Sequence, residues 1–128
     1  MYEKEERKRR NRTKACMFTY GGQTVCVDPS LPLFNLLGKK DSILIIGVIG
    51  NRSGKNNFNE ILADIPGSST TSISRRIKEF IAAGIVSRNE SEAGITYALT
   101  PFGETIRESL LPLLKILDKI NPQAVKHQ

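Results

Sequence analysis

The sequence contains few of the residues that bind metals or cross-link small proteins. Its 128 residues include two cysteines, Cys16 and Cys26, and one histidine, His127. Two cysteines are too few for the disulfide scaffold of a small secreted domain. Together with one histidine they do not supply the four ligands of a structural zinc site. We therefore expect neither a metal centre nor a bound cofactor.

Long apolar runs are also absent. The two longest, residues 43–49 and 110–117, are far shorter than the roughly 20 residues that a membrane-spanning helix needs, so no membrane span is expected. Residues 1–7 are mostly charged and lack the apolar core of a signal peptide, which predicts a cytoplasmic protein. A length of 128 residues, with 39% apolar and 25% charged residues, is typical of one globular domain.

The residues of an enzyme active site are missing as well. Residues 50–55 follow an apolar run and resemble a phosphate-binding loop, but three residues separate the two glycines where that loop has four. Asn56 stands where such a loop has the Ser or Thr that binds magnesium. The body of the chain has no histidine to act as a general base and no paired carboxylates in an acid/base context. We expect no catalytic residues and no enzyme activity.

Positive charge is concentrated near the N-terminus. The chain has 19 Lys and Arg against 13 Asp and Glu, a net charge of +6. Residues 1–14 hold seven of these cations and three glutamates, so this stretch contributes +4. We predict a basic arm over residues 1–15 that contacts a polyanion, either nucleic acid or an anionic membrane surface. The alternative is a solubilising tail.

Apolar spacing and turn residues predict mainly helices, with two β-hairpins. Gly21-Gly22 separates two short strands, and Pro66-Gly67 separates two helices. Asp41 or Ser42 is expected to cap the helix before the polar loop at residues 50–57. The expected elements are strands 16–20 and 23–27, helices 32–37, 43–49, 58–65 and 70–83, strands 85–88 and 95–99, and a final helix from Pro101 behind a Thr100 cap.

The helix over residues 70–83 has two different faces. Its apolar residues recur at helical spacing: Ile73, Ile77, Phe80 and Ile81. At about 100° per residue, the opposite face is polar and basic: Thr71, Ser74, Arg75 and Lys78. A short helix, a Pro-Gly turn, this helix and a hairpin follow in the order of a winged helix-turn-helix. We predict a mainly α fold with a small β wing over residues 16–120, followed by a flexible tail over 121–128.

This fold predicts which side chains would contact DNA. Short hydroxyls let a helix N-terminus approach a phosphate, and long cations reach base edges or phosphates. Exposed cations and polar loop residues can also be merely solvated. The candidate contacts are Lys55, Asn56, Ser69, Thr70, Thr71, Ser74, Arg75, Lys78 and Arg88. Arg76 lies nearer the apolar stripe and is expected to pair with a carbonyl or a carboxylate.

Several stretches of the sequence resemble the HxlR-type winged helix-turn-helix regulators, which are related to the MarR group. They lie between about residues 26 and 120: LLGKK (36–40), NFNEI (57–61), IPGSS (65–69), RIKEF (76–80), AGIVSR (83–88) and YALTPFG (97–103). The Tyr-x-Leu-Thr-x-x-Gly stretch is the most specific, because it joins a wing strand to a capped helix in the family's order. The resemblance implies a dimeric, DNA-binding transcriptional regulator, often responsive to oxidants or electrophiles through a cysteine before the first core helix.

The resemblance makes Cys26 a candidate redox sensor. The alternative is a small buried hydrophobe. Cys16 and Cys26 stand on either side of Gly21-Gly22, so we expect them to face each other in a hairpin, where a disulfide is geometrically conceivable. The sequence departs from the family pattern in lacking a Cys-Pro pair here, since Cys26 is followed by Val27 and Asp28, and in lacking tryptophan altogether.

The wing also departs from the family pattern. It carries Glu90, Glu92 and Ala93 in place of the usual proline and basic residue before the second strand. A wing this acidic is expected to touch DNA through Arg88 alone or not at all.

The final helix has more apolar surface than one small domain normally covers. Its main stripe alternates spacings of four and three: Ile106, Leu110, Leu113, Leu117 and Ile120. We expect these residues to form a two-fold dimer interface, the alternative being a lid on the domain's own core. Pro112 is expected to kink this helix unless it lies within a break.

These observations together predict a homodimeric, sequence-specific regulator that binds double-stranded DNA through the helix over residues 70–83. A small-molecule or oxidant effector is compatible with this function. Two alternatives stay open: a winged-helix module that binds proteins, and an architectural protein that coats DNA without sequence preference.

Overall fold

A computed structural model describes residues 17–52 and 56–120 of the chain. These residues divide into one unit that ends at Gly38 and a second that begins at Lys39. The first holds β1 (Met17–Tyr20), β2 (Gln23–Cys26) and α1 (Pro32–Leu37); the second holds α2 (Ser42–Ile49), a 3-10 turn (Gly50–Arg52), α3 (Phe58–Asp64), α4 (Thr70–Ala82), β3 (Val86–Ser91), β4 (Gly94–Leu99) and α5 (Pro101–Ile120). The predicted order of elements is confirmed. The predicted basic arm and tail lie outside the described residues.

The first unit contains the predicted hairpin, but in a different register from the expected one. β1 and β2 pair antiparallel around Gly21-Gly22, with Met17 opposite Cys26. The expectation that Cys16 faces Cys26 is therefore wrong, because a two-residue turn pairs Cys26 one position later in β1. Cys16 itself lies outside the described residues. Cys26 is an exposed free thiol, which excludes the buried alternative.

The core of the second unit is almost entirely aliphatic. α2 contributes one face, on which Ser42, Ile45, Ile46 and Ile49 are buried, while Leu44 on another side is 50% exposed. The fully or nearly fully buried apolar residues are Ile45, Ile46, Ile49, Ile61, Ile65, Ile73, Ile77, Phe80, Ile85 and Val86. They come from α2, α3, α4, the start of β3, and the residues directly after α3 and before β3, so one core fixes the two helices of the helix-turn-helix against the wing.

Local chemistry sets the ends of α3 and α4. Asn57 and Glu60 form a reciprocal capping box at the start of α3, with each side chain accepting from the other's backbone N–H. α3 stops before Ile65, the residue preceding Pro66, because a residue before proline is driven out of the helical region. Ser69 then caps α4 by accepting from the backbone N–H of Ser72 at 3.0 Å.

The wing is longer and its turn tighter than predicted. β3 and β4 pair in register from Val86 opposite Leu99 to Ser91 opposite Gly94. The expected loop over residues 89–94 is wrong, because most of it belongs to the strands and only a two-residue turn connects them. Gly94 permits this turn with a φ of 120°, in a region that disfavours side chains.

The ends of the other predicted helices agree closely with the structure. Asp41 occupies the N-cap position of α2, but its side chain makes no capping bond; it accepts instead from the Ser68 hydroxyl at 2.7 Å. Pro112 lies inside α5, which runs without a break from Pro101 to Ile120. Within the described part of the chain, no helix has the length and apolarity to cross a membrane.

Candidate nucleic-acid interface

The outer face of α4 forms an open surface depression, here called the α4 surface. It is lined by five of the residues predicted to contact DNA: Thr70, Thr71, Ser74, Arg75 and Lys78. All of them except the half-buried Ser74 are exposed. The structure therefore brings together hydroxyls at the helix N-terminus and two cations, one and two turns further on, which is a surface that can donate hydrogen bonds to phosphates or base edges.

The opposite side of α4 determines which side faces out. Ile73 and Phe80 have no exposed surface, and Ile77 is 2% exposed. Burying side chains of this size contributes about 1.5–3 kcal/mol each. Rotating α4 to hide its polar face would expose these three residues, so the outward direction of Arg75 and Lys78 is fixed by the core.

The four charged residues of α4 divide into two groups. Arg76 is nearly buried and pairs with Glu79, as its position beside the apolar stripe predicted. Lys39 also binds Glu79, with 3.0 Å between Nζ and Oε2. The hydrogen bond from Lys39, together with the charge of Arg76, holds the pKa of the Glu79 carboxyl below its usual range. Arg75 and Lys78, by contrast, form no ion pair with any residue in 17–52 or 56–120.

Asn56 does not belong to a DNA-binding surface, and this prediction is wrong. Its side chain has no exposed surface. The amide nitrogen donates to the carbonyl oxygens of Ile49 at 2.7 Å and Tyr97 at 3.4 Å, and the backbone N–H of Tyr97 donates to the Asn56 carbonyl at 2.7 Å. Asn56 thus ties β4 of the wing to the segment between α2 and α3. Lys55, the neighbouring candidate, lies outside the described residues.

A cluster of ionised groups that the sequence analysis missed lies beside Asn56. The Arg52 guanidinium hydrogen-bonds Asp64, lies 3.5 Å from Glu60, and donates to the Asn56 side-chain oxygen at 3.3 Å. The hydrogen bond between Arg52 and Asp64 lowers the pKa of the Asp64 carboxyl below its ordinary value and raises the pKa of Arg52. Glu60 and Asp64 stand four residues apart on α3, a spacing that could have indicated a shared cation.

Arg88, the wing candidate, is exposed near the base of the hairpin. Its guanidinium pairs with Glu90 at 2.9 Å. Arg88 also lines a small cleft between α4 and the wing together with Ser74 and Lys78, two residues of the α4 surface. Ser69, in contrast, is exposed but has its hydroxyl oxygen engaged as the cap of α4, so its first role is to fix where that helix begins.

The final turns of α5 present an apolar face to solvent, here called the α5 face. It consists of Leu113, Ile116, Leu117 and Ile120, which are between 43% and 67% exposed. Ile116 was not among the predicted interface residues, although it adjoins their stripe. The other two predicted residues, Ile106 and Leu110, are half-buried within the chain itself.

Residues 36–124 match the family model for the HxlR-like helix-turn-helix. This chain belongs to that family. A comparison with curated protein sequences found no match.

Solved structures agree with the HxlR-like assignment. A possible HxlR family transcriptional factor from Thermoplasma volcanium GSS1 is 48% identical, with a TM-score of 0.77 over 82% of this chain and 95% of that one. Diamide-treated YodB from B. subtilis is 31% identical, with a TM-score of 0.56 over 68% of this chain and 87% of that one. FabT from Streptococcus pneumoniae, solved in complex with DNA, shares the fold at 19% identity and a TM-score of 0.53, over 67% and 66% of the two chains.

The stretch YALTPFG of this HxlR-like chain joins the wing to α5 through contacts of Thr100 and Gly103. The Thr100 hydroxyl oxygen accepts from the Gly103 N–H at 3.0 Å and so caps the helix. The Thr100 backbone N–H donates to the Ile85 carbonyl at 3.0 Å. Gly103 packs so closely on this carbonyl that a Cβ at Gly103 would lie 2.1 Å from the oxygen. Threonine and glycine are thus both needed to hold the start of α5 against the base of the wing.

Proposed function

We propose that this chain is a homodimeric, sequence-specific DNA-binding transcriptional regulator that inserts α4 into the major groove. The observation that carries the proposal is the α4 surface itself. Arg75 and Lys78 are exposed, have no carboxylate partner in the described residues, and lie beside hydroxyls at the helix N-terminus. A buried opposite face holds them in this direction. A groove-reading helix needs this combination of a fixed underside and an outer face of unpaired donors.

Two further observations support DNA as the partner. The chain belongs to a helix-turn-helix family, and the same fold in FabT was solved in complex with DNA. The arm over residues 1–15, with its excess of positive charge, would add affinity that does not depend on base sequence, because each neutralised phosphate releases counterions.

The α5 face supports the homodimer. Four large apolar side chains in successive turns are left uncovered, and a contiguous exposed apolar patch usually marks an interaction surface. A second copy of the same helix is complementary to it, since Leu and Ile residues would pack on Leu and Ile residues around a two-fold axis. Dimerisation would present two copies of α4, which read half-sites about 34 Å apart when the protein is a helix-turn-helix dimer.

Direct binding assays test the DNA-binding proposal. A duplex recovered by in-vitro selection is titrated with wild-type protein, with Arg75→Ala and Lys78→Ala, and with Lys115→Ala as the control. Lys115 is exposed on α5, on the side away from the α5 face, so this variant also loses one positive charge. We expect each α4 variant to weaken binding by roughly 5- to 150-fold per half-site, and the control to change it little.

The competing functions give different results in the same assay. DNA binding through several phosphates weakens steeply as salt is added. A protein-binding module would not show such salt-sensitive binding to the duplex. A DNA-coating protein would bind random and selected duplexes equally. Equal losses in the α4 variants and in Lys115→Ala would contradict the assignment of α4 as the reading helix.

Sedimentation equilibrium tests the homodimer. Leu117→Glu places a charge in the middle of the α5 face, and burying it against a second copy is unfavourable, so we expect a monomer. Lys115→Glu introduces the same side chain on the other side of α5 and should remain dimeric. A Leu117→Glu variant that still sediments as a dimer would place the interface elsewhere.

A further inference from the structure

The wing of this protein carries an ion pair at the edge of the α4 surface. Arg88 and Glu90 are two residues apart on β3 and therefore project from the same side of the strand. Their side chains meet at 2.9 Å between Nη2 and Oε1. Arg88 is 43% exposed and Glu90 67% exposed, so both groups are accessible to a third partner.

Arg88 is held in a defined position relative to α4. It lies opposite Tyr97 in the hairpin, and Tyr97 is the residue that Asn56 ties to the segment before α3. Arg88 is thus at the anchored base of the wing, whereas Glu92 lies in the turn at its tip. The cleft beside Arg88 is shared with Ser74 and Lys78, so the α4 surface continues directly to this guanidinium.

Charge and position together indicate what Arg88 would bind. A helix in the major groove has the phosphate backbones along both edges, so a cation beside the reading surface faces a phosphate. Lys78 and Arg88 both line one cleft, so a phosphate at its rim could accept charge-assisted hydrogen bonds from these cations. In the free protein, however, the Arg88 guanidinium already forms an ion pair with the Glu90 carboxylate.

We propose that Glu90 is an affinity-limiting residue that competes with a DNA phosphate for Arg88. This inference rests on the proposed function. Binding DNA at the Lys78–Arg88 cleft requires Arg88 to exchange the Glu90 carboxylate for a phosphate. The wing therefore strengthens the complex only by the difference between the free energies with which Arg88 binds the phosphate and the carboxylate. Glu90 thereby keeps the protein's affinity for DNA below the value that its cations alone would give.

The size of the effect follows from the exposure of the pair. Exposed ion pairs change an equilibrium constant by up to about fivefold. A dimer with both wings on DNA would therefore gain up to about 25-fold in affinity when Glu90 is neutralised. Glu92 provides the matched control, because it is an acidic residue of the same wing and has no ion pair within the described residues.

The experiment compares Glu90→Gln with Glu92→Gln by fluorescence anisotropy on the selected duplex at about 100 mM salt, with circular dichroism to verify folding. Both variants remove one negative charge per wing, so general repulsion of DNA is relieved in both. We expect Glu90→Gln to bind at least threefold more tightly than Glu92→Gln. Affinities that agree within threefold would overturn the proposal.

An Arg88→Ala background separates competition from direct repulsion. If Glu90 acts by holding Arg88, adding Glu90→Gln to Arg88→Ala should change affinity no more than adding Glu92→Gln does. An undiminished gain from Glu90→Gln without Arg88 would overturn the proposal. The Arg75→Ala variant tests the α4 surface without involving Glu90. A loss of DNA binding in that variant would support the proposed function even if the Glu90 comparison contradicts the role of Glu90.

Discussion

Replacing Gly103 by alanine tests whether the junction between wing and α5 is as tight as the structure shows. Gly103 is buried in the first turn of α5. A Cβ added there would lie 2.1 Å from the Ile85 carbonyl oxygen and 3.1 Å from its carbon. Both atoms belong to the backbone, so they cannot move aside as a flexible side chain would. α5 would have to shift away from β3.

The expected loss of stability can be worked from three contributions. Overpacking a core site costs about 1–3 kcal/mol. A shift of α5 also weakens the 3.0 Å hydrogen bond from the Gly103 N–H to Thr100, which contributes about 1 kcal/mol. Alanine offsets part of this, since it favours a helix over glycine by about 0.5–1 kcal/mol. We expect Gly103→Ala to lower the free energy of unfolding by about 1–3 kcal/mol.

Gly47→Ala is the matched control. Gly47 is also inside a helix, but a Cβ there would lie 3.8 Å from Leu114 Cδ1, an ordinary contact. Helix propensity alone then predicts a neutral or slightly stabilised protein. Thermal unfolding followed by circular dichroism, at one fixed protein concentration, should show Tm lowered by roughly 5–20 °C for Gly103→Ala and unchanged or raised for Gly47→Ala. Two variants with equal Tm values would refute the close contact at Ile85.

Two further predictions concern the segment before α3. Asn56→Ala should lower the free energy of unfolding by about 1–3 kcal/mol, because the buried Ile49 carbonyl loses its donor; the exposed Asn59→Ala should change it little, and equal thermal shifts would contradict the buried role. Asp64→Asn should be less stable than wild type at pH 7. Arg52 lowers the pKa of Asp64, so the pair stabilises the fold above the unfolded pKa of about 3.9 and loses this effect as the pH falls further. Urea titrations should therefore show the difference shrinking below about pH 4, and a constant difference would contradict the pairing.

Local chemistry made much of the fold predictable. Pro66, the cap at Ser69 and the apolar stripe of α4 are signals carried by neighbouring residues, and they located the helix-turn-helix to within one or two residues. The same stripe indicated which side of α4 faces out. Helical spacing also indicated that Arg76 lies beside the apolar stripe and pairs with a carbonyl or a carboxylate, and its partner is the Glu79 carboxylate.

Contacts between distant segments could not be predicted in this way. Asn56 was read as a polar loop residue, because nothing near it in the sequence shows that its amide binds Tyr97, 41 residues away. The register of the first hairpin, in contrast, follows from its turn, because a two-residue turn at Gly21-Gly22 pairs Tyr20 with Gln23 and so places Met17 opposite Cys26; the expected pairing of the two cysteines was off by one residue. The Arg88–Glu90 pair depends on how far the wing strand extends, which the predicted loop had obscured.

The most direct test of the account is a comparison of the base preferences of wild-type protein and the Arg75→Ala variant by parallel in-vitro selection from random duplexes. We predict that wild-type protein enriches an inverted repeat with half-sites about one helical turn apart, and that Arg75→Ala loses its preference at one symmetrical position in each half-site. If both proteins enrich the same motif with the same strength at every position, Arg75 does not read bases and the central claim for the α4 surface is wrong.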